Sequence, residues 1–317
     1  MKKTVVQIKP DPFISYDKNY CFIGSCFSEN LSGKMIRNGF QVGINPLGVL
    51  FNPLSIGEAL TNSNKDSRKQ LVTSRSELFF SWEASGTLFG HSEKEMMTKI
   101  DGNISRFRDQ LTTAEALFVT FGSAYVYRLK ENNKVVANCH KFPSDIFIKE
   151  LLQVDEIVDH WQGVISELKG LNRNLRIIFT LSPVRHIKDG LIENARSKAI
   201  LLESIHRITE KKDNCNYFPA FEIVMDELRD YGYFGKDGIH PNDIAVDFIW
   251  ERFKDSFVTP KATEVIETVE KLRKDFEHRF INAEGKEARD FKENRELRLQ
   301  QMKKKYPEVN WEIFIRE

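Results

Sequence analysis

Two short stretches hold side chains whose types and spacing could do chemistry together. The segment D-G-I-H-P-N-D puts Asp237 three residues before His240 in a Gly/Pro loop that leads into an amphipathic stretch. At that spacing a carboxylate reaches back to the imidazole, fixes the proton on Nδ1 and leaves Nε2 free as a general base. By itself D-x-x-H reads equally as an ordinary polar loop. The segment C-F-I-G-S-C-F-S-E-N supplies the missing partner: an apolar run climbs to Gly24 and ends in Ser25 and Cys26, just ahead of an expected helix. Cysteine is the stronger intrinsic nucleophile of the two, and the free N–H groups of a helix N-terminus favour a thiolate or an oxyanion. A nucleophile, a base and an orienting carboxylate together perform acyl transfer.

Other polar loop residues are candidates for binding. His140 and Lys141 in N-C-H-K-F-P, and Arg185 and His186 in S-P-V-R-H, follow apolar runs. His140 reads as a substrate ligand or alternative base, and Arg185 as a holder of a carboxylate or phosphate; each reads as well as a loop residue satisfied locally. The four cysteines form no C-x-x-C pair, so free thiols are expected, with Cys21 and Cys215 in the core and Cys26 and Cys139 beside polar groups. There is no G-x-G-x-x-G, no G-x-x-x-x-G-K-[ST] and no H-E-x-x-H, and the seven histidines are scattered. No metal site and no cofactor are expected.

These residues need elements to hold them. N-Y-C-F-I-G-S reads as a first strand, and S-E-N-L-S-G-K-M-I-R-N-G as a helix capped by Ser28 and stopped at Asn38-Gly39. F-Q-V-G-I-N-P-L-G-V-L is extended, and a short helix begins near Pro53 and runs to Ser63. E-L-F-F-S-W-E-A-S-G-T-L-F-G reads as a hairpin, and residues 92–114 as a surface helix. E-A-L-F-V-T-F is a buried strand; a hairpin turning at Glu131–Lys134 follows. Apolar residues at helical spacing run from Asp145 to Gly170. L-R-I-I-F-T-L-S-P-V is another buried strand, residues 190–212 a long amphipathic helix, and C-N-Y-F-P-A-F-E-I-V a last strand. Continuous apolar strands alternating with helices predict an α/β fold with a mainly parallel sheet covered on both faces. Ligands gather at the carboxyl ends of such strands. Ser25 and Cys26, Gly122 and Ser123, and Ser182 and Arg185 all follow strand ends, so one sheet edge should collect them.

With 317 residues, 41% hydrophobic and 29% charged, the chain can bury a large core. A formal charge of +1 gives no global attraction to nucleic acid or anionic membrane, and neither is expected as a partner. The apolar run before Lys9 is too short for a secretory leader, no stretch is long enough to span a bilayer, and a cytoplasmic location is expected. After Pro260 the chain becomes dense in charge with sparse apolar residues. One or two helices packed on, or projecting from, the main domain are expected there, with a solvated helical tail as the plain reading and an interaction or self-association arm as the competing one.

Together the residues carry a resemblance. F-I-G-S-C-F-S-E-N resembles the signature of the GSCFA family, with Ser28 where the family name has alanine. N-P-L-G-V-L-F-N-P, T-F-G-S-A-Y-V-Y-R, N-C-H-K-F-P, S-P-V-R-H-I-K-D-G-L-I-E-N-A-R-S-K-A-I-L, Y-F-P-A-F-E-I-V-M-D-E-L-R-D-Y-G-Y-F and D-G-I-H-P-N-D follow in that family's order, from about Tyr20 to about Phe257. The family in turn resembles the SGNH, or GDSL-like, hydrolases. That implies a three-layer α/β/α sandwich over residues 1–257, with residues 258–317 as a charged helical extension. It also implies a nucleophile after the first strand and a late D-x-x-H completing a triad. Laying G-D-S over Gly24-Ser25-Cys26 favours Cys26 as nucleophile and leaves Ser25 in play. By the same resemblance the oxyanion donors are the nucleophile's own N–H and Gly48. The superfamily's asparagine has no counterpart in Gly122-Ser123-Ala124, which leaves Ser123 and Asn45 as the candidate substitutes. The implied function is an esterase or acyltransferase on a small acyl or acylated-carbohydrate substrate. The alternative is a ligand-binding module that kept the fold and lost the reaction.

Overall fold

The computed structural model describes residues 4–61, 71–212, 214–282 and 284–314. Five parallel strands make the central sheet: β1 (Asn19–Gly24), β2 (Gln41–Ile44), β5 (Ala116–Phe121), β9 (Arg176–Leu181) and β10 (Cys215–Tyr217), in the spatial order β10-β9-β5-β1-β2. The two faces of the inner strands β1, β5 and β9 bury into different cores, as the two-residue period of a strand requires. Cys21, Ile23, Leu117, Val119, Phe121, Ile177 and Phe179 face one core. Tyr20, Phe22, Ala116, Phe118 and Ile178 face the other. Helices α2 (Pro53–Thr61), α3 (Glu93–Thr113), α4 (Val154–Leu171) and α5 (Leu191–Glu210) cover the first face. Helices α1 (Cys26–Arg37), α6 (Asp243–Phe257) and α7 (Pro260–Glu277) cover the second. The result is the expected three-layer α/β/α sandwich.

Smaller antiparallel elements flank the sheet. Strand β3 (Val72–Arg75) pairs with β4 (Leu78–Ser81), and β6 (Tyr125–Leu129) lies between β7 (Val135–Val136) and β8 (Phe147–Leu151). The hairpin expected within residues 77–90 is thus replaced by β4 pairing backward onto β3, with a single bridge from Phe79 to Gly90. The expected helix from Asp145 is also corrected: residues 147–151 are a strand, and α4 begins at Val154. Pairing of Phe147–Leu151 along the whole of β6 overrides the helical spacing. The expected last strand is only three residues long and gives way to a helical segment over Ala220–Leu228. The end of the expected helix after Pro53, at Asn62 and Ser63, lies outside the described residues.

The charged extension is not a solvated tail. Thr259 caps α7 and hydrogen-bonds the Ile14 carbonyl, and Val265, Ile266, Val269 and Leu272 join the second core. Helix α8 (Lys286–Lys305) buries only Ala288 and Leu299, but the residues after it return: the Asn310 N–H donates to the Gly39 carbonyl, and Val309, Trp311 and Phe314 are buried. The sparse apolar residues of α7 are enough because they recur on one face at helical spacing.

Candidate active site

The turn after β1 is built from tight local contacts. Gly24 has φ +131°, and a Cβ there would lie 2.2 Å from the Thr120 carbonyl oxygen of neighbouring β5. The Ser25 N–H donates to that same oxygen at 3.1 Å. Ser25 takes an extended conformation at the N-cap of α1 but does not cap it with its side chain; its Oγ is buried with no hydrogen-bond partner. Cys26 is therefore the first helical residue and sits half-buried where α1 presents its unpaired N–H groups.

A cavity of about 630 Å³ opens at this edge of the sheet. Its walls include Ser25, Cys26, Glu29, Val49, Phe51, Gly122, Ser182, Arg185, His186 and His240. The ends of β1, β5 and β9 thus converge as their order in the sequence implied. Apolar walls come from Val49, Phe51, Val184, Ile187 and Ile239.

The Asp237–His240 loop forms one rim. His240 Nδ1 lies 2.7 Å from Asp237 Oδ2, while Asp237 Oδ1 accepts the Ile239 and His240 N–H groups at 2.9 and 3.1 Å. Those bonds, the imidazole first, hold the Asp237 carboxyl down to about 2. Asn242 anchors the loop from behind, capping α6 at Ala245 and donating to the Gly232 carbonyl at 2.7 Å. The Arg185 N–H donates to the Ile239 carbonyl at 3.2 Å, tying the segment after β9 to this loop. The Arg185 guanidinium lies over the rings of Phe234 and Tyr231, at 4.5 and 5.1 Å.

Burial and then the Glu29 carboxylate push the Cys26 thiol up. The N–H groups of Cys26 and Phe27 and the Lys198 ammonium act in the opposite direction. His186 lies beside Phe51, with ring centres 5.7 Å apart, and burial followed by the nearby Lys198 charge lowers its affinity for a proton.

Several candidate residues have other commitments. The Gly48 N–H, expected to hold an oxyanion, donates to the Asn45 carbonyl at 2.9 Å inside a turn where Gly48 has φ +74°. The N–H groups of Gly122 and Ser123 both donate to the Phe51 carbonyl, at 2.8 and 3.0 Å, and Ser123 Oγ accepts the Tyr125 N–H. Asn45 does not reach the cavity either: its Oδ1 accepts the Gly24 N–H at 2.9 Å and its Nδ2 donates to Ser28 Oγ, so it braces the β1–α1 turn. His140 is packed in the small β layer, stacked on Phe80 with ring centres 4.8 Å apart. Its Nε2 lies 2.8 Å from the Ser81 carbonyl, which fixes the proton there, and its Nδ1 is buried without a partner. It is not a cavity wall.

Three features escaped the sequence. Val49, next to Gly48, lines the cavity, and among the described residues no bond joins its N–H to another backbone carbonyl. Glu29 lies one helical turn beyond Cys26 and also lines it. Lys198 lies on the inner face of α5, 3% exposed, with Nζ donating to the carbonyls of Gly122 at 2.8 Å and Ser182 at 2.7 Å. Its signal was a charge at helical spacing from Leu201 and Ile205, on the apolar side of an amphipathic helix. Among the described residues no group of three or more His, Cys, Asp or Glu could hold a metal ion, and no helix is long and apolar enough to cross a membrane.

Comparison with known proteins adds the following. The model of the GSCFA family matches residues 19–253, and that of the GSCFA domain protein, C-terminal domain, matches residues 269–316. No curated protein matches the chain. Among solved structures, an acetyl xylan esterase (Est2A) from Butyrivibrio proteoclasticus is similar with a TM-score of 0.39 at 11% identity, over 82% of this chain and 65% of that one. A family two carbohydrate esterase from Clostridium thermocellum gives 0.38 at 10% identity, over 82% and 66%. A family 3 carbohydrate esterase from Clostridium thermocellum gives 0.35 at 9% identity, over 80% and 98%. The chain spans just under two thirds of the length of the first two.

Proposed function

Because the chain belongs to the GSCFA family, with its signature cysteine on the wall of a cavity, we propose that it is an acyl-ester hydrolase or acyltransferase working through Cys26, His240 and Asp237. The observation that carries this reading is a shared cavity: Cys26 at the N-terminus of α1 and His240, bonded through Nδ1 to Asp237, line the same space. The substrate is an O-acyl ester, with acylated carbohydrate the first class to test, or a thioester.

In this mechanism His240 Nε2 takes the thiol proton of Cys26, and Asp237 stabilises the imidazolium. The thiolate attacks the carbonyl carbon. The Cys26 N–H, joined by that of Val49, holds the oxyanion; the Val49 N–H takes the role expected of Gly48. Collapse of the tetrahedral intermediate breaks the ester C–O bond, and His240 returns its proton to the leaving alkoxide. Water, or an acceptor hydroxyl, is then deprotonated by His240 and attacks the acyl thioester, releasing acid or a new ester and restoring the thiol. The apolar walls formed by Val49, Phe51 and Val184 suit the acyl chain.

Paired variants test the register. Cys26→Ala is expected to abolish turnover on a panel of acetyl esters and thioesters and to prevent an acyl adduct visible by mass spectrometry. Ser25→Ala should retain both. Full activity in Cys26→Ala with a dead Ser25→Ala would move the nucleophile by one residue. A second reading, a binding module on the same fold, draws on the Gly122 and Ser123 N–H groups being spent on Phe51. Tight sugar binding with no adduct on Cys26 would favour it.

A further inference from the structure

The cavity beside Cys26 is larger and more apolar than an acetyl group needs. Three separate segments supply apolar side chains to its wall: Val49 and Phe51 between β2 and α2, Val184 and Ile187 after β9, and Ile239 in the His240 loop. Ile187 is also 42% exposed, so it stands at the mouth. Most polar side chains of the wall already have protein partners. Ser85 and Thr87 share a hydrogen bond at 3.2 Å, and Ser182 Oγ accepts the Val184 N–H at 3.3 Å. Glu29 accepts the Asn45 amide at 3.5 Å, and Arg185 donates to the Tyr231 hydroxyl at 3.3 Å. His240 is bonded to Asp237, and His186 and Lys188 stand on an exposed loop. A sugar filling this space would leave hydroxyls against hydrocarbon, and each unpaired hydroxyl opposes binding. An acetyl group would set a single methyl against these walls and leave water on the rest of the apolar surface.

We propose that the cavity is an acyl-chain pocket, and that the acyl group carried to Cys26 is an aliphatic chain of about six to ten carbons, which fills about a third to a half of the 630 Å³ at roughly 30 Å³ per carbon, the size of a water molecule. It rests on acyl transfer at Cys26 and adds which acyl group is transferred. The chain lies against Val49, Phe51, Val184, Ile187 and Ile239, and the remaining volume holds the start of the alcohol. Each methylene taken from water into such a wall strengthens binding about fourfold. The chain is held equally before and during the reaction, so the gain enters kcat/KM, and it stops where further carbons reach past Ile187 into solvent.

The test is a series of p-nitrophenyl esters, from acetate to dodecanoate, offered to the full chain. kcat/KM should rise about fourfold per methylene, reach its maximum at about six to ten carbons, and then level or fall. Val184→Phe narrows the space and should move that maximum to shorter chains. Ile187→Asn sets an amide at the mouth and should lower the octanoate-to-acetate ratio of kcat/KM by about tenfold. A series that is flat or falls from acetate onward overturns the proposal, as does an unmoved maximum in a folded Val184→Phe chain. If Val184→Phe does not fold, the ratio in Ile187→Asn decides, because that side chain is partly exposed and tolerates the change; an unchanged ratio refutes the pocket. Binding separates the pocket from the reaction. In Cys26→Ala, calorimetry with methyl butanoate, hexanoate and octanoate should show the same step of about fourfold per methylene. That step in a protein that cleaves no ester keeps the pocket and loses the function. Turnover of the acetate with no step in binding does the reverse.

Discussion

Gly24 and Thr120 approach so closely across β1 and β5 that a Cβ on Gly24 would sit 2.2 Å from the Thr120 carbonyl oxygen. That oxygen also receives the Ser25 N–H, so the two backbones are locked together one residue before Cys26. Gly24→Ala adds a methyl against backbone, which cannot rotate away, and imposes φ +131° on an L-residue. A loss of at least about 2 kcal/mol is expected. Thermal unfolding should show the fall, and any folded fraction should alkylate Cys26 with altered kinetics.

The pairing of Asp237 with His240 should be worth much more to rate than to stability. Asp237→Asn can still accept backbone N–H groups but presents an amide to Nδ1, which disfavours the tautomer that leaves Nε2 basic. A fall in kcat/KM on the order of 10³–10⁴ is expected with little change in Tm. The native carboxyl sits below its unfolded value of 3.8, at about 2. Its contribution to stability is therefore complete above the unfolded value and is lost as pH falls through about 2. Titration of the Asp237 carboxyl carbon by NMR should give that low midpoint; a value near 3.8 would contradict the bonding described.

Arg185 is held over Phe234 and Tyr231 and tied to the Ile239 carbonyl through its own N–H, so its guanidinium is preset beside the cavity. Arg185→Ala should raise KM several-fold and leave kcat within about twofold, the pattern of binding shared equally by ground and transition states. An equal fall in kcat would place the guanidinium in the chemistry.

His140 should prove structural. His140→Phe keeps the stacking on Phe80 but removes one of the two donors to the buried Ser81 carbonyl, which retains the Ala84 N–H at 3.0 Å, at a cost of about 0.5–1.5 kcal/mol. Thermal unfolding should register that cost while the rate of Cys26 alkylation holds. A large loss of turnover at unchanged stability would return His140 to the site.

Deleting the chain after Pro260 should unfold or aggregate the protein rather than only change its oligomeric state. Val265, Ile266, Val269 and Leu272 fill the core shared with Phe253 and Phe257, and each such side chain contributes about 1.5–3 kcal/mol by burial. Size-exclusion chromatography with circular dichroism would check this. A folded, monodisperse product would show α7 to be dispensable and restore the self-association arm.

The sequence by itself determined the layered α/β fold, the convergence of Cys26, Gly122, Ser182 and Arg185 on one sheet edge, and the Asp237–His240 loop. Each follows from information local in the chain: apolar periodicity marks strands and helices, Gly24 ends a strand, and D-x-x-H closes on itself within four residues. Tertiary structure alone decided what depends on contacts across the sheet. It gave the Gly122 and Ser123 N–H groups to the Phe51 carbonyl, set Asn45 to brace Gly24, and moved His140 into the small β layer. It turned residues 147–151 into a strand by pairing them with β6, and brought Lys198 from a distant helix to the carbonyls behind Cys26. Hydrogen-bond commitments and buried charge depend on which segments meet in space, and residue spacing along the chain does not carry that.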